Sequence, residues 1–165
     1  MDETEKAEKT PRIYVETSVV SGMFDSNDHP AKARPFWEAV QRGDVVVIVS
    51  DVLEQEVAAA PQCVRDFLDS LPESQVERMT SSMESEVLAV WYIAKRVVGE
   101  SSLNDCRHIA LATVAQADAI VSWNFRHIVK RSDKYNSVNK KFGYSEIAIK
   151  TPDEVIHDDI GLVPN

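Results

Sequence analysis

Three short runs of the chain are apolar at nearly every position: Arg12–Glu16 (RIYVE), Val45–Val49 (VVVIV) and Ala119–Ser122 (AIVS). All are rich in β-branched residues, as strands covered on both faces are, and each leads into a polar residue and then a helical pattern. Ile147–Ile149 is a fourth candidate strand, closed by Pro152. Helical periodicity fills the intervals. Residues 30–42 place Phe36, Trp37 and Val40 at helical spacing, with Gly43 as a stop signal. Residues 51–60 end before Pro61, and residues 62–71 before Pro72. Residues 82–98 carry Val87, Val90, Trp91, Ala94 and Val98 as one stripe, ended by Gly99. Residues 104–117 form the strongest helix, with Asn104 as its expected N-cap. Strands alternating with helices imply an α/β fold whose central, mostly parallel sheet of about four to five strands is covered on both faces.

At 165 residues the chain is read as one domain. The boundaries expected are a polar N-terminal tail (1–11), a folded domain (12–157) and a C-terminal tail (158–165). Hydrophobic content of 44% and charged content of 27% are ordinary for a globular protein. No apolar run approaches the roughly 20 residues that span a bilayer, and the first residues lack the apolar core of a signal peptide. A cytoplasmic protein with no membrane partner is expected. Cys63 and Cys106 have no metal-site spacing and are read as unpaired. The four histidines, at 29, 108, 127 and 157, also lack ligand-like spacing, and His108 is read as packed or hydrogen-bonded.

The net charge of −9 speaks against a nucleic-acid partner until its distribution is considered. Ten of the 18 basic residues but only five of the 27 acidic ones fall between positions 95 and 150. Arg126, Lys130, Arg131 and Lys134 lead that block, followed by Lys140 and Lys141. It reads either as a solvated face or as a phosphate-binding strip on an acidic protein.

Candidate chemistry lies where elements meet. Parallel strands all finish on one edge, and open α/β sheets bind ligands just beyond it. Glu16 ends the first strand, followed by the hydroxyls of Thr17 and Ser18. Glu56 lies six residues after Ser50 in the helix leaving the second strand. Asp105 starts the long helix, and Asn124 follows the third strand. Hard oxygen donors of this kind suit Mg²⁺ or Mn²⁺, and zinc is disfavoured by the absence of Cys/His clustering. Singly, each residue also has a plain reading: Asp105 as a favourable first-turn acid, Glu56 as a solvated helix residue, Asn124 as a turn former. Glu16 resists that reading, because a carboxylate in an apolar strand is costly without a partner.

Taken together, IYVETSVVSGMF (13–24), VSDVLEQEV (49–57), NDCRHIALATVAQADAIVSWNFRHIV (104–129) and GYSEIAIKTPDEVI (143–156) resemble a PIN domain, the fold of the virulence-associated-protein-C (VapC) type toxin ribonucleases. The resemblance spans roughly residues 12–157, and the third segment is its most specific part. It implies a PIN-like three-layer α/β/α fold and Mg²⁺- or Mn²⁺-dependent endoribonuclease activity leaving a 5′-phosphate and a 3′-hydroxyl. Carried over by position, it implies Glu16, Glu56 and Asp105 as metal ligands, direct or through water. Asn124 takes the fourth catalytic position, and Ser18 serves as a hydroxyl helper. It also implies an RNA substrate, a homodimer and a cognate antitoxin, and the basic strip, with Arg126, Lys130, Arg131 and Lys134, is then the expected phosphate track. Two positions depart from the pattern: Glu16 stands where Asp is usual, and Asn124 where a fourth acid is usual. The site then carries three formal negative charges, which favours one metal over two.

Three functions compete at this stage. The first is a metal-dependent ribonuclease, the toxin of a toxin–antitoxin pair. The second is a catalytically weakened PIN-like module that binds RNA or a protein partner, motivated by Asn124. The third, a nucleotide-binding enzyme, is disfavoured because the chain has neither G-x-G-x-x-G nor a Walker-type lysine loop.

Overall fold

In the computed structural model, which describes residues 10–158, strands β1 (Arg12–Val15), β2 (Val46–Ser50), β3 (Val76–Met79), β4 (Ala119–Val121) and β5 (Ala148–Lys150) form one parallel sheet. Most of the expected N-terminal tail, and all of the C-terminal one beyond Asp158, lies outside the described residues. The strand order is β3-β2-β1-β4-β5. The chain therefore builds outward on one side of β1 and then crosses back to its other side. The junction of β1 and β4 is the point where the order reverses, and ligand crevices form at such points.

Eight helices among the described residues cover the sheet: α1 (Thr17–Ser21), α2 (His29–Gln41), α3 (Asp51–Ala58), α4 (Gln62–Asp69), α5 (Met83–Ala94), α6 (Leu103–Val114), α7 (Ser132–Lys141) and α8 (Pro152–Asp158). Strand side chains alternate between two cores. Ile13, Val15, Val47, Val49 and Val121 pack with Phe36, Trp37 and Val40 of α2 and with Val155 of α8. Tyr14, Ile48, Ile120 and Ile149 pack with Leu88 and Tyr92 of α5, Ile109 of α6 and Tyr135 of α7. The outcome is the expected α/β/α arrangement, with an all-parallel sheet of five strands. Among the described residues no helix is long and apolar enough to cross a membrane.

Several boundaries differ from the sequence expectation. β3 (VERM) went unread because two of its four residues are charged. It is an edge strand whose Glu77 receives the guanidinium of Arg12 through both Nε and Nη2. Asn104 is not the N-cap of α6. A 3₁₀ turn over Glu100–Ser102 feeds the helix, Ser102 takes the cap position, and Asn104 Oδ1 accepts from Arg107 Nη1 instead. The stripe on α5 is also corrected. Leu88, Ala89 and Tyr92 face the core, whereas Val87, Val90 and Trp91 are exposed. That helix is apolar on two faces, and packing onto the sheet selected the one with Tyr92.

Helix ends explain the remaining differences. α5 stops at Ala94, not at Gly99, because Arg96 adopts φ 61°. Arg96 N then donates to Ile93 O, and Val97 N to Tyr92 O, a Schellman closure. α6 closes identically through Gln116 (φ 54°), with Ala117 N donating to Ala112 O. Glycine is the usual residue there because a Cβ makes left-handed backbone unfavourable. Gln116 is exposed, so Gln116→Gly removes that strain without losing a packed side chain. It is expected to stabilise the fold by about 0.5–1 kcal/mol, read as a higher midpoint in urea at unchanged slope.

Candidate active site

β1 delivers Glu16 to the switch point. The residue is only 6% exposed, a costly position for a carboxylate, and the chain surrounds it with donors. Oε1 accepts from Ser18 Oγ (2.6 Å) and Ser122 Oγ (2.5 Å), and Oε2 accepts from Ser18 N (3.1 Å). Glu16 is thereby the N-cap of α1 and ties the end of β1 to the end of β4. Ser18 Oγ accepts in turn from Trp123 N at 2.9 Å. Both polar groups of Ser18 are thus engaged with Glu16 and the β4 terminus.

Glu56 projects from the last turns of α3 and is partly exposed. Its Oε1 accepts from Thr17 Oγ1 (2.9 Å) and lies 2.6 Å from Nε2 of the buried His108. Burial pushes this carboxyl up, but the hydrogen bond and charge of His108 and the Thr17 hydroxyl outweigh it, so the net shift is below the ordinary range.

Asp105 lies in the first turn of α6, where the helix macrodipole favours its ionised form. Its pKa is nonetheless raised. Burial contributes most, followed by the charge of Glu16 and, less, that of Glu56, against the opposing influence of His108 and His127. Asp105 is thus within electrostatic reach of both Glu16 and Glu56.

Asn124 follows β4 and faces Asp105 with its amide nitrogen, Nδ2 to Oδ1 3.4 Å. Its Oδ1 accepts from His127 N at 3.1 Å, which fixes the orientation of the amide. Where the pattern expects a fourth acid, this chain places a donor that partly satisfies Asp105. Its oxygen is committed to a turn, and it offers the site no ligand in this orientation. The turn brings Arg126 and Lys130 just beyond the edge, because Ile128 N and Val129 N both bond back to Asn124 O. Arg126, Lys130 and Lys134 are exposed, and Arg131 is partly buried with Nε on Arg126 O. Lys140 instead pairs with Glu146.

Among the described residues no three His, Cys, Asp or Glu side chains converge as a preformed metal cage would. The donor set fits a less demanding ion. Among the described residues nothing donates to Glu56 Oε2 or Asp105 Oδ2, whereas both oxygens of Glu16 already accept. Mg²⁺ is commonly held by one or two carboxylates, with waters and substrate phosphate completing its octahedron. A cation there would also relieve the repulsion that lifts the pKa of Asp105. Glu56 and Asp105 are the residues best placed to hold it.

The sequence identified Glu16, Glu56, Asp105 and Asn124, and the fold brings all four to one edge. It did not identify Thr17, Ser122, Tyr14, Ser50 or His108 as their supports. Thr17 and Ser122 carried a weak signal as hydroxyls bordering strand ends. Tyr14 carried none, since a tyrosine in an apolar strand reads as core. No protein-family model and no curated protein matches this chain.

Proposed function

We propose that the protein is a divalent-cation-dependent endoribonuclease. The observation that carries this reading is the placement of Glu16, Glu56, Asp105 and Asn124 at the switch point. Glu16 is tied to the β4 end through Ser122, Glu56 to α6 through His108, and Asn124 to Asp105, whose carboxyl is raised by burial and by the charges of Glu16 and Glu56. A carboxyl perturbed by burial and by neighbouring charges at a ligand-binding edge is a candidate functional group with a physical rationale. A bound Mg²⁺ or Mn²⁺ would neutralise charge on the phosphodiester and lower the pKa of a water. Glu56 and Asp105 supply the open oxygens for that ion, Glu16 braces the strand ends beneath it, and the Asn124 amide orients Asp105. Arg126 and Lys130, with Arg131 and Lys134 further along, offer positive charge to the RNA backbone on an otherwise acidic protein. Hydrolysis adds water across a P–O3′ bond and leaves a 5′-phosphate and a 3′-hydroxyl. The cellular role we attach to this activity, the cytoplasmic toxin of a toxin–antitoxin pair, rests on the resemblance to PIN-domain toxins alone. The test is incubation of the purified chain with structured RNA and Mg²⁺ or Mn²⁺, beside a chelator control. Cation-dependent cleavage supports the reading, and intact RNA with every divalent ion contradicts it.

The Asn124 orientation favours a second reading, a weakened module that binds RNA without cutting it. Saturable RNA binding with no cleavage under any divalent ion is its signature.

The homodimer has a candidate surface. Met83 (82% exposed), Val87, Val90 (56%) and Trp91 form an apolar ridge along α5. It borders a concavity of about 650 Å³, and Phe142 packs on Trp91 at 4.7 Å between ring centroids. Exposed patches of this kind mark interfaces. Met83, Val87, Val90 and Ala94 follow the four-three-four spacing of a helix-pairing seam. Acids Glu84 and Glu86 flank its start, and Lys95 and Arg96 its end. An antiparallel copy about a two-fold axis pairs Met83 with Ala94 and Val87 with Val90, and sets each acidic end against the basic end of the other copy. Val90→Glu places like charges across that axis. Sedimentation is expected to give twice the 18.5 kDa chain mass for the wild type and a single mass for the variant. A wild type that sediments as one chain at micromolar concentration contradicts the surface.

A further inference from the structure

His108 is 1% exposed, yet it carries two ring nitrogens that the carboxylate site alone does not explain. Nδ1 lies 2.7 Å from Tyr14 Oη, and Nε2 lies 2.6 Å from Glu56 Oε1. Tyr14 Oη lies in turn 2.7 Å from Ser50 Oγ, which accepts from Leu53 N at 3.2 Å as the N-cap of α3. Tyr14 and Ser50 are fully buried. A continuous line of polar atoms thus runs from the end of β2, through β1 and α6, to a carboxylate on α3.

Its two ends fix its direction. Leu53 N–H can only donate, and the ionised Glu56 can only accept. With Ser50 donating to Tyr14, Tyr14 donating to Nδ1, and Nε2–H donating to Glu56, every proton in the line has an acceptor. The reverse direction leaves the Ser50 hydroxyl proton facing nothing in a fully buried position, an arrangement that folded proteins avoid. One tautomer of His108 therefore satisfies the line.

We propose that His108 is the positioning residue for Glu56, held as the Nε2–H tautomer by the ordered chain Ser50–Tyr14–His108. It acts by occupying Glu56 Oε1 together with Thr17, so that Oε2 is the oxygen presented to the site. Because α3 and α6 meet through this contact, the line also fixes where Glu56 lies relative to Asp105. The proposal rests on Glu56 serving the cation site described above. Supports of this kind, which orient a ligand without touching the ion, typically change metal affinity by about 10–100-fold when removed.

Two measurements on the full chain test it. The first is the ¹⁵N–¹H spectrum of the histidine rings without metal. It is expected to show the His108 ring protonated on Nε2, with a proton that exchanges slowly and is lost to fast exchange in Glu56→Ala. Tyr14→Phe is expected to release the tautomer preference. The second is Mn²⁺ affinity. Glutamine can donate to Glu56 and accept from Tyr14, so His108→Gln is expected to bind close to wild type, while His108→Phe weakens binding about 10–100-fold. An Nδ1–H tautomer in the wild type, or wild-type affinity in a folded His108→Phe, overturns the proposal. A wild type that binds no Mn²⁺ contradicts the cation reading instead, and the spectrum then decides the hydrogen-bond line on its own.

Discussion

Asp105→Asn is expected to abolish cation-dependent RNA cleavage while making the folded chain more stable at neutral pH. Both effects have the same origin. The folded-state pKa of Asp105 lies above its ordinary value because the carboxylate is partly buried and feels the charges of Glu16 and Glu56. A raised acid binds its proton more tightly in the folded than in the unfolded chain. Its contribution favours folding at low pH and is lost as pH rises from the unfolded toward the folded pKa. At pH 7 the ionised Asp105 is therefore a cost, and the neutral, nearly isosteric Asn removes it. The melting temperature of Asp105→Asn should exceed that of the wild type at pH 7, and the gap should close in acid. Cleavage should fall below detection, by about 10²–10³-fold or more, because the variant loses an anionic oxygen that would hold the cation stabilising the reacting phosphate. Divalent cations sharpen the contrast. Mn²⁺ should raise the melting temperature of the wild type, since it binds only the folded state, and leave the variant unmoved. A variant less stable than wild type at neutral pH, or one that still cleaves, contradicts this account.

The second large effect falls on stability. Glu16→Ala removes the N-cap of α1 and takes the carboxylate partner from the buried hydroxyl of Ser122 and the partly buried one of Ser18. Loss of a cap costs about 1 kcal/mol, and each buried donor left unpaired adds about 1–3 kcal/mol. Partial re-pairing of the two serines limits the total to about 2–4 kcal/mol. For a domain of this size the melting temperature should drop by roughly 10 °C. Chemical denaturation of Glu16→Ala beside Glu56→Ala checks the assignment of roles. Glu56 caps nothing and is partly exposed, so water can replace it beside His108 Nε2 and Thr17 Oγ1, and its loss should cost less. Equal destabilisation by the two substitutions would show that Glu16 is not the brace described here.

Much of this was legible before the fold. β1, β2 and β4 announce themselves because strands buried on both faces must be apolar throughout, and strands that all end on one edge make the acids that follow them neighbours. That reasoning brought Glu16, Glu56, Asp105 and Asn124 together across 108 residues of sequence. β3 was not legible, because its Glu77 is stabilised by Arg12 from 65 positions away, a pairing no local pattern reports. α7 was hidden for a related reason: only Tyr135, Val138 and Asn139 of its ten residues are buried, and Asn139 earns its place through bonds to Tyr92 and Thr113. Helix ends were missed where Arg96 and Gln116 take a conformation that sequence assigns to glycine. At the site, the identity of Asn124 was legible but its orientation was not, since that depends on the His127 amide. The supporting line through Tyr14 and Ser50 was invisible, because both residues also suit an apolar strand and a helix cap.

The central claim is that the open oxygens of Asp105 and Glu56 form a divalent-cation site. Calorimetric titration of Mn²⁺ into the wild-type chain and into Asp105→Asn tests it most directly. Saturable binding near one ion per chain in the wild type, lost in the variant, is the predicted result. No binding to the wild type, or equal binding to both, would contradict it.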